Sequence, residues 1–463
     1  MKENKIYVLE RMPILKAIMN LAIPSVLSML VSVVYNLTDT FFIGKLNDPF
    51  QVAAVSISLP LFTLQMAMAG VFGVGGGSYL SRLLGSKEME KAKNTLATSV
   101  FSSAVISVIL GVMGIMLIPQ FLKAVGASGE TTIHAYNYML YILIGSPFIL
   151  IKFALLQLVR AEGAAKEAMI GLFIGTGANI VLDPLFIFVF NMGVTGAAIA
   201  TVLGNALGTA YYLWFYLSKK SLVPLSFSHL KLRWSCYKEI FTIGIPASLS
   251  QVMMSVGNTV SYRLASDYSD IHVAAMGVAS RIFTIPTFVF LGISIGVQAL
   301  IGYNYGAKNF ERMKQAMKSA VIISLSISAF MTILFVLFSK ELILIFIKDQ
   351  DIIKYGTQIL HAYTYAIPVA AVGMIMMGAL QAMGKALPAL IVSISRQGIV
   401  YIPAILALNK LFEFNGLIFA MPIADFITTT MSVIMIIVIV RNLKHHQIDV
   451  DPAALDNISI GFD

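Results

Sequence analysis

At 463 residues, 58% of them hydrophobic and only 12% charged, the chain carries too little polar surface to fold as a water-soluble globule. Twelve spans of about 20 residues would use roughly 240 positions, so the composition fits an all-α, polytopic membrane protein and excludes a secreted domain, a disordered tail and a nucleic-acid binder. The mean hydropathy of +0.84 agrees. A net charge of +9 would suggest nucleic acid in a soluble protein, but in a membrane protein it records basic loops. The sole cysteine, Cys236, excludes a disulfide framework and a cysteine-rich metal site. The opening MKENKIYVLERMPILK has no small-residue cleavage site, so no signal peptide is expected.

Apolar runs separated by short polar breaks predict helices at about 14–44, 51–84, 94–118, 132–159, 167–190, 193–217, 239–266, 271–302, 317–347, 352–383, 386–408 and 415–440. Each must be helical, because backbone N–H and C=O groups in hydrocarbon have no water to bond. Of the 32 basic residues, 22 fall at the N-terminus or in the alternate loops on its side, seven in the opposite loops, and only Lys152, Arg281 and Arg396 inside a span. Arg160 is counted with the loops. The excess predicts cytoplasmic termini and a multi-pass protein of the cell (inner or plasma) membrane. Of the 23 acids, Asp39, Asp183 and Asp425 fall inside spans.

The chain repeats itself. GSKEMEKAKN (85–94) recurs as GAKNFERMKQ (306–315), Pro24 in LAIPSVLS matches Pro246 in IGIPASLS, VAAVSIS (52–58) matches VAAMGVAS (273–280), and RAEG (160–163) matches QAMG (381–384). Two six-helix halves result. Six is even, so both enter the membrane from one side as parallel repeats, a layout of secondary transporters. The expected organisation is an N-terminal lobe at 1–217, a cytoplasmic linker at 218–238, a C-terminal lobe at 239–441 and a cytoplasmic tail at 442–463.

Intramembrane acids are expensive and mark function. Asp39 lies near the outer end of helix 1, and Asp183 lies about 16 residues, or roughly 24 Å, into helix 5, so both belong to the outer half of the first repeat. Tyr35 and Asn179 each precede an acid by four residues and share its helix face. Thr201 in helix 6 offers a hydroxyl at similar depth, and Pro184 removes a backbone donor beside Asp183. Two carboxylates in low dielectric avoid unpaired charge by taking up a proton or a cation. Asp425 lies within reach of Arg281 and Arg396, which suggests a buried ion pair or a secondary proton site, and Lys152 is expected to snorkel toward the nearer membrane face.

Other motifs are weaker. VFGVGGGSYL (71–80) sits in an apolar helix, where glycines serve close packing, and GALQAMGKA (378–386) is one residue too long for a P-loop. No catalytic constellation or resident metal site is legible, so no enzyme and no cofactor is expected. The 25 methionines, with Met66, Met68, Met253 and Met254 among them, could furnish an adaptable apolar cavity.

Taken together, IPSVLSMLVSVVYNLTDTFFIG, VFGVGGGSYLSRLLG, RAEG, NIVLDPLFIF and IGYNYGAKN, in this order and spacing from about Lys16 to Arg441, resemble the multidrug and toxic compound extrusion (MATE) family, closest its DinF-type, MepA-like branch. The resemblance implies a V-shaped transporter of two six-helix lobes that exports bulky, often cationic compounds in exchange for H⁺ or Na⁺. It implies a coupling site of Asp39, Asn179, Asp183 and Thr201, with transient Na⁺ possible there, and a substrate cavity near Tyr35, Asn36, Tyr138, Met66 and Gln251. Helices 7 and 10 lack the acids of the NorM-type branch. The expected function is thus an ion-coupled multidrug antiporter working as a monomer on amphipathic small molecules. The alternative is a lipid-linked saccharide flippase of the same superfamily, which should show an arginine-lined cavity rather than paired acids. An integral membrane enzyme and a passive channel are the remaining rivals.

Overall fold

A computed structural model describes residues 2–127, 129–218 and 220–448, and among them no strand forms. A short helix α1 (Lys2–Glu10) precedes α2 (Ile14–Gly44), α3 (Pro49–Gly85), α4 (Met89–Ala124), α5 (Gly129–Ile144), α6 (Ser146–Ala161), α7 (Ala165–Pro184) and α8 (Gly193–Leu217). The second half holds α9 (Trp234–Ser266), α10 (Asp270–Gly306), α11 (Phe310–Leu344), α12 (Gln350–Ala382), α13 (Ala386–Ile394) and α14 (Tyr401–Ile448). Residues 449–463, most of the expected tail, lie outside the described residues, as does Lys219.

Ten stretches are long and apolar enough to cross a membrane, and α5 with α6, bent by 53° at Gly145, makes an eleventh. The last stretch, Ala386–Leu443, has 58 residues, far more than the roughly 20 a bilayer core needs. It crosses twice because the chain turns back at Glu413, whose φ of +52° leaves the helical region. Gly416 makes that reversal possible: a Cβ there would run into the Leu408 carbonyl. Twelve crossings follow, with spans 11 and 12 joined by a bend where the sequence predicted a loop.

The repeat is written into the turns. Left-handed residues recur at Lys87 and Lys308, at Gly163 and Gly384, and at Asn191 and Glu413. Helix caps recur too, where Asp48 and Ser269 accept backbone N–H groups at the starts of α3 and α10. These capped starts satisfy amides that would otherwise be orphaned.

The halves are in close contact at the face that bears the basic loops. There a Cβ on Gly75 of α3 would strike the Ile240 carbonyl of α9, so the glycine-rich run serves helix packing as expected. Arg82 pairs with Glu239 at 3.0 Å and Ser78 donates to the Gln381 carbonyl. Helix α1 straps the same face: Lys5 donates to the Lys220 carbonyl and pairs with Glu167, while Arg312 and Asn304 of the second half donate to the Leu9 carbonyl. Among the described residues, every hydrogen bond and ion pair between the halves lies at this face or at mid-depth.

The connection between the halves is pinned by Glu162. Its carboxyl meets the Ser221 hydroxyl at 2.7 and 2.8 Å and accepts the Leu222 amide at 2.8 Å. Burial pushes this carboxyl up to about 7, against the Ser221 and Leu222 hydrogen bonds that pull it down.

Candidate functional site

Between the halves lies a cavity of about 730 Å³. Its first wall is the stripe Ile149, Lys152, Phe153, Leu156, Gln157 and Arg160 of α6, positions that share one face at helical periodicity. Tyr35, Asn36, Met66 and Gln251 line it. Seven methionines (Met29, Met66, Met254, Met276, Met374, Met377 and Met421) face it, a soft and adaptable surface. Tyr138 does not: the bend at Gly145 turns α5 away from the wall that α6 forms, and Tyr138 packs near Ile43, Ile187 and Val194. Met68 and Met253 also lie outside the wall.

Beside the cavity, α7 and α8 assemble a polar cluster. Asp183 is fully buried on the last turn of α7, before Pro184 opens a π-helical turn over 185–189. The Asn179 amide donates to Asp183 Oδ1 at 3.2 Å and lies 3.4 Å from Thr201 Oγ1. Asp183 Oδ2 and Asn179 Oδ1 are buried with no donor, so two oxygen ligands remain for a proton or a cation. Asp39 is half-buried on the neighbouring α2, one turn from Tyr35 on the same helix face. The carboxylates themselves stand behind the wall, which here presents Tyr35, Asn36, Asn179 and Thr201 to the cavity.

In the second half Arg396 Nε lies 2.7 Å from Asp425 Oδ1, and Asp425 is 2% exposed. Arg396 sits in a second π-helical turn, 395–399, whose wider coil swings its side chain toward α14. Arg281 takes no part: its side chain is exposed, and among the described residues it forms no ion pair with Asp425.

Two basic residues differ from expectation. Lys152 does not snorkel; it is buried in the cavity wall, with Nζ 3.2 Å from Asn205 Oδ1, and the Asn205 amide donates in turn to the Thr201 carbonyl at 2.7 Å. Arg160, counted with the loops, lies in the last turn of α6 and is 5% exposed. Hydropathy ends the span near Val159 because it sees only a charge. The signal that could have turned both residues toward the cavity is their periodicity with Ile149, Phe153, Leu156 and Gln157.

Twelve crossings in two like-oriented repeats, with a polar and apolar cavity between them and buried acids beside it, define a membrane transporter. The chain belongs to the MatE family, whose model matches it twice, over residues 24–185 and 246–406. It is 33% identical over 427 residues to the multidrug export protein MepA of Staphylococcus aureus (strain MSSA476), covering 92% of this chain and 94% of that one. It is equally similar, at 33% over 457 residues, to the MepA of Staphylococcus haemolyticus (strain JCSC1435), covering 98% and 99%. Among solved structures it resembles an outward-facing multidrug resistance MATE transporter of the MOP superfamily, with a TM-score of 0.90 at 26% identity over 95% of this chain and 98% of that one. A MATE in the bent conformation gives a TM-score of 0.89 at 26% identity, covering 96% and 98%.

Proposed function

We propose that this protein is a secondary active multidrug efflux antiporter that expels amphipathic compounds in exchange for H⁺ or Na⁺. The observation that carries the reading is the adjacency of a 730 Å³ inter-lobe cavity to the Asn179–Asp183–Thr201 cluster. Cavity and cluster share Asn179 and Thr201, so an ion that reorders the cluster also changes the cavity wall. The similarity to two multidrug export proteins supports export over the flippase alternative.

In this scheme both termini and the basic loops face the cytoplasm. The closed basic face with its α1 strap then corresponds to the outward-facing state. A proton or Na⁺ entering from outside is taken by Asp183 and Asp39, with Asn179 and Thr201 supplying oxygens. Neutralising the acids lowers the cost of packing α2 against α7 and α8, and that repacking narrows the first wall and releases the substrate outward. Each charge moved inward through the potential contributes about 2.3 kcal/mol per 100 mV, which can drive the return to the cytoplasm-open state. The working unit is one chain, organised as two lobes at 1–217 and 239–441.

Efflux of a fluorescent amphiphile from proteoliposomes, driven first by a pH gradient and then by a sodium gradient, tests the proposal. Gradient-dependent export that fails in Asp183→Asn supports it. Downhill leakage indifferent to both gradients would refute it.

A further inference from the structure

The charged groups on the cavity wall are Lys152, Arg160 and Arg396, and among the described residues no carboxylate faces it. Arg396 is neutralised by Asp425 and Lys152 is spoken for by Asn205. Arg160 is different. Its Nη1 donates to Gln157 Oε1 at 3.2 Å, but its Nε and Nη2 are buried without any acceptor. A guanidinium cannot shed its charge in a protein, so the site holds a permanent, half-bonded cation. Nε and Nη2 form the side-on edge of the fork, the edge that matches the two oxygens of a carboxylate or phosphate.

Close packing of α3 on α6 leaves a small void beside Arg160. A hollow of about 30 Å³ adjoins the main cavity at this point, and Gln157, Arg160 and Gln298 line both. It is roofed by glycines on α3, where a Cβ on Gly73 would come within 3.0 Å of the Ala154 Cα. The hollow therefore sits between the lobes at the foot of the α6 stripe, eight residues or roughly 12 Å below Lys152.

We infer that the Arg160 side-on fork is an oxyanion subsite at the floor of the cavity, receiving the carboxylate or phosphate of an amphipathic substrate whose apolar body lies against the methionine-rich walls above. The inference rests on the efflux reading and adds to it a class of cargo, zwitterionic or anionic amphiphiles, that the paired acids alone would not suggest. Because the hollow is shared by both halves, the subsite exists only while the basic face is closed. The anionic end is then released outward from this closed-face state, when the first wall narrows.

The test is efflux from proteoliposomes of a rhodamine bearing a free carboxylate and of its methyl ester, with a parallel assay of fluorescent phosphatidylglycerol against phosphatidylcholine translocation. Wild-type protein should export both dyes. Arg160→Gln should lower export of the free acid about tenfold relative to that of the ester, and Arg160→Lys, which keeps the charge but loses the fork, should fall between. Selective loss of phosphatidylglycerol movement with both dyes unaffected would assign the oxyanion to a lipid headgroup. Equal loss of acid and ester, or no loss of any cargo, overturns the subsite. A wild-type protein that exports neither dye and moves neither lipid defeats the efflux reading itself, and the subsite with it.

Discussion

The single amide nitrogen of Asn179 lies 3.2 Å from Asp183 and 3.4 Å from Thr201, linking an acid on α7 to a hydroxyl on α8. Removing the carboxylate charge in Asp183→Asn should lower gradient-driven efflux at least tenfold with membrane expression retained. Asn179→Ala keeps the charge but unties it from α8, and should weaken transport several-fold. Efflux at wild-type rates in both variants would exclude the cluster from coupling.

Asp425 is buried against Arg396, whose side chain reaches the cavity wall, so removing Arg396 strands the carboxylate. Arg396→Ala should destabilise the protein by about 3–5 kcal/mol, whereas replacing both with apolar residues of similar volume should come close to neutral. Thermal unfolding in detergent of the single and double variants checks this. If the single variant melts like wild type, the pair is not holding the second half together.

A pH effect follows from Glu162. One Ser221 hydroxyl proton faces two carboxyl oxygens and the Val223 carbonyl, and it can serve only one. A protonated Glu162 resolves the conflict by donating to Ser221, which then donates to Val223. With the carboxyl raised from 4.5 to about 7, the folded joint holds a proton the unfolded chain has released. Stability of the joint is therefore full below about 4.5 and falls as pH rises to about 7. The protection factors of the Leu222 and Val223 amides, with the intrinsic rise of exchange with pH divided out, should fall across that window in wild type and stay flat in Glu162→Gln.

Closure of the basic face depends on backbone contact at Gly75. A methyl group there meets the Ile240 carbonyl, so Gly75→Ala should hold the lobes apart. Cys236, 5% exposed near Phe72 and Ile240, is a built-in reporter. Its maleimide labelling should rise several-fold in the variant. Unchanged labelling would show that the lobes close without this contact.

Much of this was legible in the sequence because hydrocarbon leaves a chain few options. Long apolar runs must be helices, the offset repeat dictates two halves, and Asp183 and Asn179, four residues apart, had to share a face. What hydropathy could not convey was direction. Arg160 ends an apolar run and so scores as loop, although its neighbours at helical spacing turn it into the cavity. Tyr138 was misplaced for the converse reason: the bend at Gly145 splits one predicted span into two faces, and no periodicity crosses it. Arg281 and Arg396 scored alike, but only Arg396 lies in a widened turn that points it at Asp425.

The one-residue reversal at Glu413 also constrains how the machine can move. With no slack between them, the last two crossings must swing together like a hinged oar, so flexing within the second half has to be taken up on either side of that pair. An epitope inserted after Glu413 would loosen the oar, and transport lost without loss of protein would be its signature.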